Sequence, residues 1–101
     1  MNLPGAPHLT RQNGSLTLDG VDLDGLARTW GTPLYVYSQR SMLDAAASYQ
    51  RALQGRPHLL CYAMKANSNL AVLQTFARAG LGFDIVSGGE LDRVLAAGGR
   101  P

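Results

Sequence analysis

The stretch that decides the fold runs from residue 59 to residue 91 and reads LLCYAMKANSNLAVLQTFARAGLGFDIVSGGEL. It contains a short apolar run, residues 59–64, and a second strand-like segment, residues 82–86, and each leads through a polar turn into a segment with helical periodicity. A continuous apolar run of this length is typical of a strand that is covered on both faces. The order strand, helix, strand, helix indicates parallel strands joined by helical crossovers, so the sequence predicts an α/β fold.

Lys65, at the end of the first apolar run, is the only lysine of the chain, and the eight other basic residues are arginines. Lysine can lose its proton and bond covalently to a carbonyl carbon, whereas arginine stays protonated. The scarcity of lysine therefore favours a chemical role for Lys65. The alternative is a compositional bias towards arginine, under which a single remaining lysine has no meaning.

The alternation of side chains along a strand predicts the neighbours of Lys65. Ala63 shares its face and leaves room for a ligand, while the bulkier Tyr62 and Met64 on the other face should pack under helices. Asp84 lies on the corresponding face of the second strand. We expect Lys65 and Asp84 to meet at the C-terminal ends of neighbouring strands, where α/β proteins bind ligands. Alternatively, Asp84 is a buried carboxylate satisfied by backbone donors or an arginine.

Glu90 allows two interpretations. Ser87 and Glu90 have the spacing of a capping box, in which both side chains satisfy amides at the start of a helix. The same helix start, with Gly88 and Gly89, offers free backbone N–H groups near the ligand end of the strand. Capping and a role in binding are compatible, so both stay open for Glu90.

The N-terminal part of the chain has weaker patterns. Residues 1–15 look like a loose lead, and residues 16–18 alternate as in a short strand before an Asp19-Gly20 turn. A short helix, capped by Asp22 or Asp24, follows that turn.

The short helix should end at Gly31, and the composition of residues 33–37 is typical of a strand. A longer helix capped by Ser38 then begins the second part of the chain. Trp30 and Tyr49 fall on apolar helical faces and are expected in the core.

Composition limits the function classes. A hydrophobic fraction of 46% over 101 residues suffices for one small globular core. The basic residues do not cluster, so no nucleic-acid partner is expected, and no apolar run approaches the roughly 18 residues of a membrane span.

Cys61 is the only cysteine, which is typical of a reducing, cytoplasmic location. Because it lies in an apolar run, its thiol is expected to be buried. The start of the chain lacks the pattern of a secretory signal, and no pair of residues has metal-ligand spacing.

Three segments carry a resemblance to a known family: residues 31–37 (GTPLYVY), 61–69 (CYAMKANSN) and 80–91 (GLGFDIVSGGEL). With them the chain resembles the N-terminal part of the diaminopimelate decarboxylases. These are pyridoxal-phosphate enzymes with an alanine-racemase-like barrel, a group that also includes ornithine decarboxylases. The resemblance covers nearly the whole chain, and the two longer motifs have the order and spacing of the family.

The resemblance implies a cofactor site and a fold. Lys65 matches the lysine that binds pyridoxal 5'-phosphate covalently, and Asp84 and Glu90 match acidic residues of the cofactor site, with Ala63 beside Lys65. The fold would be α/β, the N-terminal part of a pyridoxal-phosphate-binding (β/α)8 barrel that is incomplete in this chain. The full protein would add a C-terminal β-domain, which the short helix and strand of residues 1–37 are expected to join.

The resemblance also implies a reaction. Enzymes of the family remove the carboxylate at the D-configured centre of meso-diaminopimelate, giving L-lysine and carbon dioxide, and enzymes of this group are usually homodimers. A barrel of this kind needs roughly 250 residues, and residues 38–101 supply only its first units. We therefore expect a fragment of a longer enzyme that acts on a small amino acid and is inactive as an isolated piece.

Three alternatives stay open. The protein could be another decarboxylase of the group, acting on ornithine, lysine or arginine, although residues 66–69 and 87–90 look more like the diaminopimelate branch. It could be a pyridoxal-phosphate-binding barrel protein without catalytic activity. It could also be a small module that ends at Pro101 and binds a partner along its exposed strand edge.

Overall fold

The computed structural model describes residues 2–3 and 6–101. Contacts between Cα atoms divide the chain into two compact units, one extending to Met42 and the other spanning residues 43–101. The helix from Gln39 to Ala52 crosses the boundary between them.

The first unit is built on a four-stranded antiparallel sheet in which the strands follow one another in sequence order. Its strands are β1 (Asn2–Leu3), β2 (Ala6–Gln12), β3 (Ser15–Leu18) and β4 (Val21–Asp22). The strand expected at residues 16–18 is therefore confirmed as β3. The loose lead expected over residues 1–15 is wrong for β2, while residues 1, 4 and 5 lie outside the described residues.

Two tight turns explain why β2 forms. Gln12 pairs with Ser15, so only Asn13 and Gly14 connect β2 to β3, and both have positive φ angles of 49° and 84°. Two consecutive residues with positive φ give the turn whose twist matches a hairpin, and Asn-Gly is its preferred sequence. The same geometry recurs at Asp19-Gly20, with φ angles of 52° and 81°. The Asn-Gly pair was a readable hairpin signal that the loose-lead interpretation overlooked.

The short helix α1 (Leu23–Trp30) begins and ends as predicted. The Asp22 carboxylate accepts hydrogen bonds from the backbone N–H groups of Asp24 and Gly25, and Gly31 follows the helix with a φ of 82°. Residues 33–37, expected as a strand, form none, because no segment of the described chain pairs with their backbone.

The longer helix α2 (Gln39–Ala52) is capped by Ser38, as predicted. The Ser38 hydroxyl accepts a hydrogen bond from the Ser41 backbone N–H at 2.9 Å and donates to Asp19 Oδ2 at 2.6 Å. Asp19 Oδ1 lies 3.3 Å from His8 Nδ1. One carboxylate therefore ties the turn after β3 to the start of α2.

The second unit has the predicted order of strand, helix, strand and helix. Its elements are β5 (Cys61–Ala63), a single-turn 3₁₀ helix (Met64–Ala66), α3 (Leu70–Arg78), β6 (Gly82–Asp84) and α4 (Gly88–Ala96). The two strands pair in parallel, and Ala63 lies opposite Asp84 at the end of the ladder. The strand expected over residues 59–64 is shorter than predicted because β6 offers only three residues to pair with it.

The core of the second unit lies under one face of this two-stranded sheet. Its buried members are Met64, Leu73, Val94 and Ala97. The partly buried side chains Tyr62, Phe83 and Ile85 pack against it. The expectation that Tyr62 and Met64 pack under the helices is therefore confirmed, since α3 and α4 supply Leu73 and Val94.

Several side chains expected inside are exposed instead. Trp30 is 73% exposed and Tyr49 is 62% exposed, so neither belongs to a core of the described chain. Cys61, expected to be buried, is also exposed, because it lies on the strand face opposite Met64. Leu59, nearby on that open side of the strand, is 74% exposed. Apolar composition therefore predicted these helices and this strand correctly, but it did not predict which of their faces are buried.

Candidate cofactor site

Lys65 lies in the 3₁₀ helix that directly follows β5. Its predecessor Met64 is only 1% exposed and fixes this turn in the core, while the Lys65 side chain is 55% exposed. The alternation argument treated Lys65 as part of the strand, which is wrong in detail. The outcome is the same, because the turn still directs the amine away from the face that Met64 occupies.

Asp84 is the last residue of β6 and lies opposite Ala63 in the ladder. Its Oδ2 atom is 3.6 Å from Lys65 Nζ, so the expected meeting of the two side chains at the C-terminal ends of the strands is present. The alternative interpretation of Asp84 as a buried carboxylate is wrong, since its side chain is 55% exposed. An exposed ion pair of this kind contributes little to stability, about 0–1 kcal/mol.

Glu90 lies in the first turn of α4, where its carboxylate has a structural partner. Glu90 Oε1 accepts a hydrogen bond from the Val86 backbone N–H at 2.7 Å, and the Ser87 hydroxyl accepts one from the Glu90 backbone N–H at 3.2 Å. This is the predicted capping pattern with one change, because Glu90 reaches the residue before the cap. Among the described residues, Glu90 has no hydrogen bond or ion pair to Lys65.

The start of α4 is open to solvent beside this carboxylate. Gly88 and Gly89 are exposed, and a Cβ atom added at either position would meet nothing within 4 Å. Their backbone N–H groups lie in the first turn of a helix, where no intrahelical acceptor is available to them. The loop after β6 therefore presents unobstructed donors to an incoming polar group.

The segment after Lys65 is held by contacts that the sequence analysis did not foresee. The Tyr62 hydroxyl donates to the Asn67 carbonyl at 2.9 Å. The Arg93 guanidinium donates to the Ser68 carbonyl through Nε at 3.1 Å and Nη2 at 2.7 Å. No periodic pattern indicates Arg93, because its partner lies 25 residues away in sequence.

This arrangement suits an amine that bonds covalently to an aldehyde. The Lys65 amine is accessible, a carboxylate lies next to it, and the small Ala63 side chain precedes it on the strand. Within residues 2–3 and 6–101 there is no group of three or more His, Cys, Asp or Glu side chains that could hold a metal ion. No helix in the same described residues is long and apolar enough to cross a membrane.

Comparison with known protein families identifies the same region. A family model described as the pyridoxal-binding domain of pyridoxal-dependent decarboxylases matches residues 39–101. A diaminopimelate decarboxylase of Pseudomonas fluorescens is 56% identical over 88 residues, which cover 87% of this chain and 21% of that protein. One from Vibrio cholerae is 54% identical over 91 residues, 90% of this chain and 22% of the relative. The chain thus spans about a fifth of the length of the curated relatives it matches.

Solved structures give the same result for the fold. A crystal structure from Aquifex aeolicus matches with a TM-score of 0.89 at 43% identity, covering 94% of this chain and 23% of that one. The diaminopimelate decarboxylase of M. jannaschii in complex with L-lysine also matches with a TM-score of 0.89, at 35% identity and with the same coverage. The α/β fold and the resemblance to the N-terminal part of these enzymes are therefore confirmed.

Proposed function

This chain belongs to the family of pyridoxal-dependent decarboxylases, and we propose that the protein of which it forms part decarboxylates meso-diaminopimelate to L-lysine. The observation that carries the proposal is the accessible Lys65 amine, 3.6 Å from Asp84 at the C-terminal end of a parallel strand pair. The names of relatives that are 40–56% identical support the choice of substrate.

The cofactor in this proposal is pyridoxal 5'-phosphate. Lys65 would bind it covalently, Asp84 and Glu90 would supply the carboxylates near it, and the small Ala63 side chain would leave room for it. When bound, the cofactor supplies an electron sink for the pair of electrons left behind as carbon dioxide departs. The residues described above fit such a group, because the amine is exposed and the glycine-containing turn after β6 is unobstructed.

Lys65 has two tasks in this proposal. Its amine holds the cofactor before the substrate amino group replaces it, and it is then free to carry a proton at the reacting carbon. Asp84 would keep the amine on the ligand side of the strands, since its carboxylate is the charged group 3.6 Å from Nζ. Glu90 would act with one carboxylate oxygen, because the Val86 backbone N–H already engages the other.

The rest of the protein follows from the same family assignment. We propose that residues 1–37 join a C-terminal β-domain, that residues 38–101 begin the barrel, and that the complete enzyme is a cytoplasmic homodimer. The exposed segment 33–37 is consistent with pairing outside this chain, since Tyr35 is 85% exposed. The substrate is a small amino acid, with no nucleic acid or membrane as partner.

A second candidate is another basic amino-acid decarboxylase of the same group. It is favoured by the breadth of the family model, whose description names pyridoxal-dependent decarboxylases without a substrate. A pyridoxal-phosphate-binding barrel without catalysis is the third candidate. Both are separated from the first by assay.

The test uses the full-length protein loaded with pyridoxal phosphate. We expect carbon dioxide and L-lysine from meso-diaminopimelate, with far slower release from ornithine, arginine or lysine. Borohydride reduction followed by peptide mapping should place the cofactor on Lys65. Faster turnover of ornithine or arginine would replace the substrate assignment, and covalent labelling without turnover of any of these amino acids would favour the non-catalytic barrel.

A further inference from the structure

Arg93 and the Ser68 carbonyl form a contact between α4 and the segment that follows Lys65. Two donors of the guanidinium, Nε at 3.1 Å and Nη2 at 2.7 Å, converge on one oxygen. A planar guanidinium presents its donors in a rigid fork. Arg93, in the last turn of α4, therefore fixes both the position and the direction of the Ser68 carbonyl.

The neighbouring carbonyl is fixed from a different element. The Tyr62 hydroxyl, from β5, donates to the Asn67 carbonyl at 2.9 Å. The Tyr62 ring is itself held, with its centroid 4.4 Å from that of Phe76. Two successive carbonyls in a segment without regular structure thus bond to side chains from a strand and from a helix. These bonds satisfy backbone acceptors that have no ladder or helix partner.

The ion pair with Asp84 does not by itself fix the position of Lys65. The separation of 3.6 Å between Lys65 Nζ and Asp84 Oδ2 lies beyond hydrogen-bond distance, and both side chains are half exposed. Such exposed pairs hold their members loosely. The 3₁₀ helix also begins at Met64 without a side-chain cap. Buried Met64 fixes the N-terminal side of this turn, so the direction in which Lys65 leaves the backbone also depends on the anchored segment on its C-terminal side.

We infer that Arg93 is a positioning residue for Lys65 and acts through the Ser68 carbonyl. The inference rests on the proposed function, because it assigns Arg93 to the orientation of the amine that binds the cofactor. Loss of the guanidinium frees the Ser68 carbonyl, and the turn from Lys65 to Ser68, then held only by Met64 and the bond from Tyr62 to Asn67, samples orientations in which the amine does not face the cofactor aldehyde. The fold itself persists, since the buried residues of the core do not include Arg93.

Arg78 provides a matched control for Arg93. Each is an exposed arginine in the last turn of a nine-residue helix, where a positive charge interacts favourably with the helix dipole. Within the described residues, Arg78 has no hydrogen bond or ion pair, whereas Arg93 has two hydrogen bonds to Ser68. Substitution by methionine keeps the apolar stem of the side chain and removes only the donors.

The experiment compares Arg93→Met and Arg78→Met in the full-length protein. The readouts are the rate at which pyridoxal phosphate attaches to Lys65, trapped by borohydride, and the thermal unfolding midpoint. We expect Arg93→Met to slow attachment about tenfold to a hundredfold, because both hydrogen bonds from the charged guanidinium to the Ser68 carbonyl are lost, at temperatures where the protein is fully folded. Arg78→Met should keep the wild-type rate, and Arg93→Lys should recover part of the attachment rate that Arg93→Met loses.

Three results would overturn the inference about Arg93. Attachment at the wild-type rate in Arg93→Met is the first, and equal slowing in both methionine variants is the second. The third is slowing that only follows the fraction of unfolded protein, which would reduce Arg93 to a stabilising contact. If the wild-type protein itself fails to attach pyridoxal phosphate at Lys65, the proposed function fails, and that result is distinct from the other three.

Discussion

The two units of the chain build their sheets in different ways. In the first, β2, β3 and β4 are consecutive and antiparallel, and two-residue turns join them. In the second, β5 and β6 are parallel, and α3 lies between them in sequence. A parallel pair needs a crossover that packs on the sheet, whereas a hairpin needs only a turn. The first sheet therefore depends on local turn residues, and the second depends on the buried core.

The candidate chemistry lies in the unit whose sheet depends on packing. Lys65 and Asp84 come from different strand ends, and only the parallel ladder brings them to 3.6 Å. Substitutions can therefore separate three properties of the molecule: the reactive group, the core that aligns the strands, and the turns that form the first sheet. Four experiments, in order of decreasing expected effect, test this separation.

The largest effect is expected for Lys65→Ala in the full-length protein. Decarboxylation should fall by more than about a thousandfold, because both the covalent attachment and the proton transfer are lost. The visible absorbance of the bound cofactor should disappear as well. Lys65→Arg is the control, since it keeps the positive charge and should be equally inactive. Turnover that persists in Lys65→Ala would contradict the mechanism.

The next effect is expected for Leu73→Ala in the second-unit core. Leu73 is fully buried, so its truncation should lower the free energy of unfolding by about 2–5 kcal/mol. Leu91→Ala is the matched control, because Leu91 is 41% exposed on α4 and its change should stay near 0.5 kcal/mol. Chemical denaturation measures the free energy of unfolding of both variants. Similar losses in the two variants would show that the buried core does not align the parallel strands.

A smaller effect is expected for Asp84→Ala. Activity should fall about tenfold to a hundredfold, because the amine loses the charged group that orients it. The free energy of unfolding should change by no more than about 1 kcal/mol, since the ion pair is exposed. Asp92→Ala on α4 is the control and should leave kcat unchanged. Wild-type turnover in Asp84→Ala would mean that the carboxylate has no part in the chemistry.

The smallest effect is expected for Gly14→Ala in the first unit. Gly14 has a φ of 84°, and a Cβ atom there would meet nothing within 4 Å, so the cost is purely conformational, about 1 kcal/mol. Gly88→Ala is the control, because Gly88 begins α4 without a positive φ and also has free space. The thermal unfolding midpoint should therefore fall in Gly14→Ala and stay close to wild type in Gly88→Ala. A destabilisation by Gly88→Ala as large as that by Gly14→Ala would remove the special role of the turn.

The sequence predicted most of the second unit and less of the first. Strand and helix order, the parallel pairing and the meeting of Lys65 with Asp84 follow from apolar runs and side-chain alternation. The strand β2 was missed although Asn13-Gly14 is a strong hairpin signal. That error came from reading a polar segment as a loop, whereas an antiparallel sheet tolerates polar residues on its solvent face.

Burial was the least predictable property. Trp30, Tyr49 and Cys61 were expected inside and are exposed, because periodicity identifies an apolar face without identifying what covers it. The capping role of Ser87 was readable from its spacing, but the Glu90 carboxylate bonds to Val86, one residue earlier than the pattern indicates.

The amino-acid sequence by itself determined the element order of the second unit, the helix caps at Ser38 and Ser87, and the single lysine at a strand end. These features depend on neighbours within a few residues, where periodicity and hydrogen-bonding side chains act directly. Only the tertiary structure decided the three-residue length of β5 and the bond from Arg93 to Ser68. Both depend on atoms about 20 or more residues apart, which meet only after the helices have packed on the sheet.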